Sequence, residues 1–155
     1  MANEFHYCAS LSILHPSVDP KWISGHLTDL HPTIEVKAGT ERRDKRGNII
    51  HPPRKPPLSH WLADLHDEER LYSGSVRLSD FLLDWLTELE KYKDIFLELE
   101  KEGSVKLMIG WFSDSNYSAE ALDAEVLKKC GDLGINLELN TTALTRVFFA
   151  AAQAH

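Results

Sequence analysis

The chain has 155 residues, 43% hydrophobic and 26% charged, with a formal net charge of −7. That length suits a single domain able to bury its own core, and the average composition excludes a fibrous or disordered chain. The acidic balance argues against general binding to nucleic acid or anionic membrane, both of which require cations, and no apolar run approaches the roughly 18 residues that a membrane-spanning helix needs.

Phe5, Tyr7, Ala9, Leu11 and Ile13 alternate with His6, Cys8, Ser10 and Ser12. This period of two predicts a strand with one covered face, ended by His15-Pro16. Asp19 then supplies a helix cap and Pro20 a first helical residue that needs no N–H partner. Ile23, Leu27 and Leu30 give that helix one apolar stripe, and His31-Pro32 is the predicted stop. Ile34 and Val36 mark a short second strand.

A basic insert follows at residues 37–57, KAGTERRDKRGNIIHPPRKPP, with seven Lys/Arg against two Asp/Glu, a local charge of +5 in a chain otherwise at −12. Like charges repel and do not share a dry core, so the stretch is either a solvated loop or a contact surface. Gly39 and Gly47 are its predicted turn residues. Its paired prolines, Pro52-Pro53 and Pro56-Pro57, favour an extended, exposed path.

Around Trp61 the chain is apolar again (HWLADL) and a third strand is predicted. Asp67-Glu68-Glu69 and Ser73-Gly74-Ser75 read as turns. Ser79 is the expected cap of the longest helix, whose stripe is Leu78, Phe81, Leu82, Trp85, Leu86, Leu89 and Tyr92. A break near Lys91 to Asp94 leads to a second piece carrying Phe96 and Leu99, stopped by Gly103. Val105, Leu107, Ile109 and Trp111 alternate as a strand. Ser118 is expected to open a further helix with Leu122, Val126, Cys130 and Leu133 inward, ended by Gly134. Ile135, Leu137 and Leu139 form a last strand, and residues 142–155 are read as a short helical extension. The order β-α-β-(insert)-β-α-β-α-β predicts one domain over 1–155, of class α+β. Its first six elements match a ferredoxin-like split β-α-β, with an added α-β and helices covering one face of a mainly antiparallel sheet.

The chemistry-bearing residues are scattered. The eight histidines form no HxH or HExxH pair and the two cysteines no CxxC, so surface and end-of-element roles account for them and no metal is expected. There is no GxSxG elbow, and Cys8 lies in the alternating first strand while Cys130 lies on a helix's apolar face, so neither reads as an activated thiol. Lys37-Ala38-Gly39-Thr40 follows a strand but leads into charged residues instead of an amphipathic helix, which rejects a phosphate-cradling loop. The carboxylates of the long helix, Asp84, Glu88, Glu90, Glu98, Glu100 and Glu102, read as a solvated face. No catalytic residue and no cofactor is assigned. Trp61, Trp85 and Trp111 read as core residues, and Trp22 as the tryptophan most exposed. With no signal-like N-terminus, the expected compartment is the cytoplasm, with both thiols reduced.

Taken together, Phe5-x-Tyr7-x-x-x-Leu11-x-Ile13, Asp19-Pro20, Lys37-x-Gly39 with arginines after it, Trp61, the Leu-rich helix and Leu133-Gly134-Ile135-x-Leu137 resemble the bacterial family called domain of unknown function 4279, up to about Leu139. The resemblance transfers no catalytic residues. It implies kinship with components of bacterial toxin–immunity loci. Members commonly end in an acidic, aromatic-containing strand, whereas this chain reads Leu139-Asn140-Thr141.

Two functional expectations follow. The first is a non-enzymatic protein-interaction module of immunity type, monomer or homodimer, whose acidic body masks a cationic toxin or another neighbour-encoded protein by charge complementarity. The second is a small-ligand or anion-binding protein, enzymatic or not, using Lys37, Arg42, Arg43, Arg46 and Arg54 near Trp61, because guanidinium forks suit carboxylate and phosphate.

Overall fold

Ten residues of alternating polarity, His6–His15, form β1, the strand around which the sheet is organised. The structure is a computed structural model that describes residues 4–41, 43–50, 55–115 and 117–143. On one edge β1 pairs antiparallel with β5 (Ser104–Ser113), from His6↔Phe112 to Leu14↔Ser104. Its other edge is shared. β3 (Ser59–Asp64) takes Ser10 to His15, and the two-residue β4 (Leu71–Tyr72) takes His6 and Tyr7. β2 (Pro32–Val36) lies antiparallel to β3, and β6 (Ile135–Ala143) runs parallel to β5. The strand order is β2-β3-β1-β5-β6, with β4 beside β1. The chain is therefore α+β with a mainly antiparallel six-stranded sheet.

The registers explain the core. Leu11 sits opposite both Leu107 and Ala63, and Ile13 opposite both Val105 and Trp61, so the apolar phase of three strands falls on one face. Onto that face pack α1 (Pro20–His26), α2 (Leu78–Leu89), a 3-10 turn (Glu90–Tyr92), α3 (Lys93–Glu100) and α4 (Ala124–Leu133). Ile23, Leu82, Leu86, Leu89, Phe96, Leu99, Val126, Cys130 and Leu133 join the strand residues in one buried cluster. Each such large side chain removed from water contributes about 1.5–3 kcal/mol. The opposite sheet face keeps Cys8, Ser10, Leu14, Leu62 and Met108 only partly covered.

Local signals and tertiary packing disagree at several ends. Asp19 caps α1 as expected, accepting the Lys21 N–H at 2.9 Å. That helix nevertheless stops at His26, and Leu27 and Leu30 are buried from the loop beyond it. Ser79 is not the cap of α2, which begins at Leu78. Its hydroxyl instead accepts the Asp123 N–H at 3.1 Å and donates to the Ala121 carbonyl at 3.2 Å. The expected break near Lys91 to Asp94 is the 3-10 turn, and Asp94 lies in the first turn of α3. α4 opens at Ala124, not Ser118, because Ser118 is held by the Trp111 indole N–H at 2.8 Å. Gly103 is required by close approach: a Cβ there would lie 2.2 Å from the Leu14 carbonyl oxygen. Thr142 and Ala143 belong to β6, and the rest of the expected C-terminal helix lies outside the described residues.

Candidate functional site

The basic insert prolongs the β2–β3 hairpin. The Ala38 N–H reaches the Ser59 hydroxyl at 3.0 Å and the Gly39 N–H the Pro56 carbonyl at 2.9 Å, while Arg43 bridges Ile49. Asp44 fixes the tip by accepting the N–H groups of Arg46 and Asn48 at 2.8 and 2.9 Å. Those bonds, Asn48's first, hold its carboxyl below the ordinary carboxylate value. Gly47, with φ 85°, takes the left-handed conformation that closes the turn. Hydrogen bonds from Asp44, and not the charge run, thus give this segment its shape.

Between this arm, β2 and the start of α1 lies a cleft of about 550 Å³ lined by Asp19, Lys21, Glu35, Lys37, Glu41 and Arg43, among others. Each cation in it has a carboxylate partner within the cleft. Lys37 faces Asp19 at 3.7 Å, Lys21 faces Glu35 at 3.3 Å, and Arg43 faces Glu41 at 3.3 Å. Arg43 also donates to the Gly47 carbonyl at 2.8 Å. Glu35 is further tied to the Ser24 hydroxyl, whose bond holds the carboxyl below its ordinary value, and Ser24 accepts the Trp61 indole N–H at 2.9 Å. Among the described residues three acids against three bases leave the cleft without net charge, a poor field for a free anion.

Of the residues singled out from sequence, the structure brings Lys37 and Arg43 together at the cleft and puts Arg46 at the exposed hairpin tip. Trp61 is 0% exposed in the core and lines no part of the cleft. Arg42 and Arg54 lie outside the described residues. Asp19, Lys21, Ser24 and Glu35 escaped sequence reasoning, since only the packing of α1 beside β2 makes them neighbours of the arm.

A second surface lies on the helical layer. Residues 78–133 hold thirteen Asp/Glu against six Lys/Arg, a charge of −7. Several of these acids are matched: Lys129 pairs with Glu90, Lys128 with Asp132 and Lys101 with Glu98, while Lys91 pairs with Asp29 outside the segment. Among the described residues Asp84 and Glu88 make no ion pair, and both flank the partly exposed Trp85 on α2. Trp85 separates two shallow depressions, one of about 290 Å³ lined with Asp84, Thr87 and Glu88, the other of about 150 Å³ lined with Asp29, Leu30 and Tyr92. Trp22, at 42%, is exposed as its place off the helix stripe predicts.

The histidines do structural work where their contacts are described. His15 Nδ1 accepts the N–H groups of Ser17 and Val18 at 3.1 and 2.9 Å. His66 Nε2 accepts the Ala9 N–H at 3.0 Å. His60, 3.2 Å from the Ser12 hydroxyl, is held below its ordinary pKa by burial. Among the described residues no three His, Cys, Asp or Glu side chains are placed to hold a metal ion, and no helix is long and apolar enough to cross a membrane. Both cysteines are free thiols, Cys130 buried and Cys8 partly so, and burial pushes the Cys130 thiol up.

Compared with known proteins, residues 3–144 match a family model described as a domain of unknown function, DUF4279. No curated protein and no solved structure matches the chain.

Proposed function

We propose that this chain, which belongs to the DUF4279 family, is a non-enzymatic bacterial interaction module that acts in the cytoplasm and binds a cationic, neighbour-encoded protein of toxin type. The observation that carries this reading is the helical layer: an aromatic side chain, Trp85, set between two carboxylates that make no ion pair among the described residues, on a segment of charge −7. A flat indole beside unpaired acids suits an interface core with a charged surround, since aromatic residues dominate hot spots and opposite fields speed encounter. Among the described residues, the paired Lys37 and Arg43 of the arm cleft count against the competing anion-binding reading.

The strand order also supports a ferredoxin-like reading of the first six elements. β2-β3-β1-β5, antiparallel at every step, is the arrangement that a split β-α-β produces, and α4 and β6 then extend it. Binding of the tagged full chain to the products of adjacent genes, measured by calorimetry at low and high salt, tests the function. The expected result is a complex that weakens as salt rises. Failure of every neighbour-encoded protein to bind at low salt refutes it.

A further inference from the structure

β5 and β6 form a parallel pair in this mainly antiparallel sheet, and a cavity of about 400 Å³ opens where both strands end. Carboxyl ends of parallel strands are a recurrent place for ligands, and this volume lies in the range of small-molecule sites. One wall is Trp111. Its ring is stacked on Phe5 at 3.8 Å and 11°, and its N–H is taken by Ser118 at 2.8 Å, so the indole is fixed before anything binds. Leu139, 51% exposed, forms an apolar rim, and Ser113 and Thr141 also line the cavity.

Glu120 also lines the cavity, with its side chain only 16% exposed. It shares one guanidinium, that of Arg77, with two other carboxylates. Arg77 donates to Asp123 at 2.8 and 3.2 Å and lies 3.4 Å from Glu120 and 3.7 Å from Asp80. Asp123 takes the bidentate geometry, which leaves Glu120 the more weakly matched acid. The buried Tyr7 hydroxyl registers the same field: burial first, then Glu120 and Asp80, push its pKa up to about 12.

We infer that this cavity receives one alkyl cation, a guanidinium or ammonium group on an apolar stem, with the stem between Trp111 and Leu139 and the head toward Glu120. An aromatic face, an apolar rim and an undercompensated carboxylate together select such a group, whereas a carboxylate or phosphate would meet repulsion. This assignment rests on the interaction function above for its source, which is an arginine or lysine side chain of the cationic partner.

The test is a titration of the ¹⁵N-labelled full chain with butylguanidinium, butylammonium and butanoate, following the Trp111 indole N–H resonance. Saturable shifts with both cations and none with butanoate are expected, and Glu120→Gln is expected to weaken binding about tenfold or more. Leu139→Arg, at an exposed position, is expected to block the site and keeps the test open if Glu120→Gln does not fold. Butanoate binding as well as the cations, no saturable shift, or an unchanged affinity in Glu120→Gln overturns the inference. So does a partner complex that Glu120→Gln forms as tightly as the native chain, an outcome that leaves the interaction function standing. Cation binding by a chain that forms no partner complex supports the cavity and refutes the interaction reading.

Discussion

His66 replaces a missing strand. Along the β3/β4 edge of β1, β3 ends opposite Ser10 and β4 begins opposite Tyr7, so the Ala9 N–H falls in the gap. The His66 Nε2 atom accepts it at 3.0 Å, while Nδ1 donates to the Glu68 carbonyl at 2.6 Å, a pairing that sets the neutral tautomer. The ring also meets Phe81 edge-on at 5.9 Å. Replacing His66 by Ala leaves the N–H of a residue only 2% exposed without its acceptor, at a cost of about 1–3 kcal/mol. Losing the aromatic contact adds about 0.5–1 kcal/mol, and the freed Glu68 carbonyl adds little because water reaches it. The expected total is about 1.5–4 kcal/mol, or a Tm lower by about 5–15 °C for a domain of this size. Urea denaturation measures the first figure, and hydrogen exchange at the Ala9 amide localises it. His66→Gln, whose side-chain carbonyl can accept the same N–H, should recover part of the loss. A His66→Ala variant within about 0.5 kcal/mol of the native chain, with Ala9 exchange unchanged, would refute this account.

Three further outcomes are expected. Gly103→Ala forces a Cβ to within 2.2 Å of the Leu14 carbonyl, so β1 or the α3–β5 turn must shift, at a cost of about 2 kcal/mol or more by thermal denaturation. Stability should fall at both ends of the pH scale, as read by urea midpoints. Burial lowers the folded-state pKa of His60, so its contribution is complete above the ordinary value of 6.5 and is lost as pH falls below it. Tyr7 is raised from 10.0 to about 12, so its contribution is complete below pH 10 and lost as pH rises toward 12. An alkaline limb unchanged in Tyr7→Phe would remove Tyr7 as its cause. Asp84→Lys combined with Glu88→Lys should leave stability within about 0.5 kcal/mol of the native chain, since both positions are exposed, yet abolish the salt-sensitive partner complex.

Periodicity made much of the architecture legible. The alternation from Phe5 to Ile13 and from Val105 to Trp111, the stripe through Leu82, Leu86 and Leu89, and the Asp19-Pro20 cap all report local requirements that a chain writes into consecutive residues. Ser79 and Ser118 do not act as caps because a hydroxyl satisfies whichever N–H lies nearest: packing brings Ser79 the N–H of Asp123, remote in sequence, and Ser118 takes the nearby Trp111 indole N–H. β4 went unseen because two residues carry no period. The charge run at residues 37–57 located the arm but not its chemistry, since Lys37 and Arg43 are neutralised by Asp19 and Glu41.

The sequence by itself determined which faces are apolar, where charge is concentrated and that the class is α+β, because those follow from side-chain order along the chain. Only the tertiary structure decided that β6 runs parallel to β5, that Trp85 is partly exposed, and that Glu120 meets Arg77 beside Trp111. Such pairings join residues tens of positions apart, and the free energy that selects them comes from burying one shared core, a quantity that no local pattern contains.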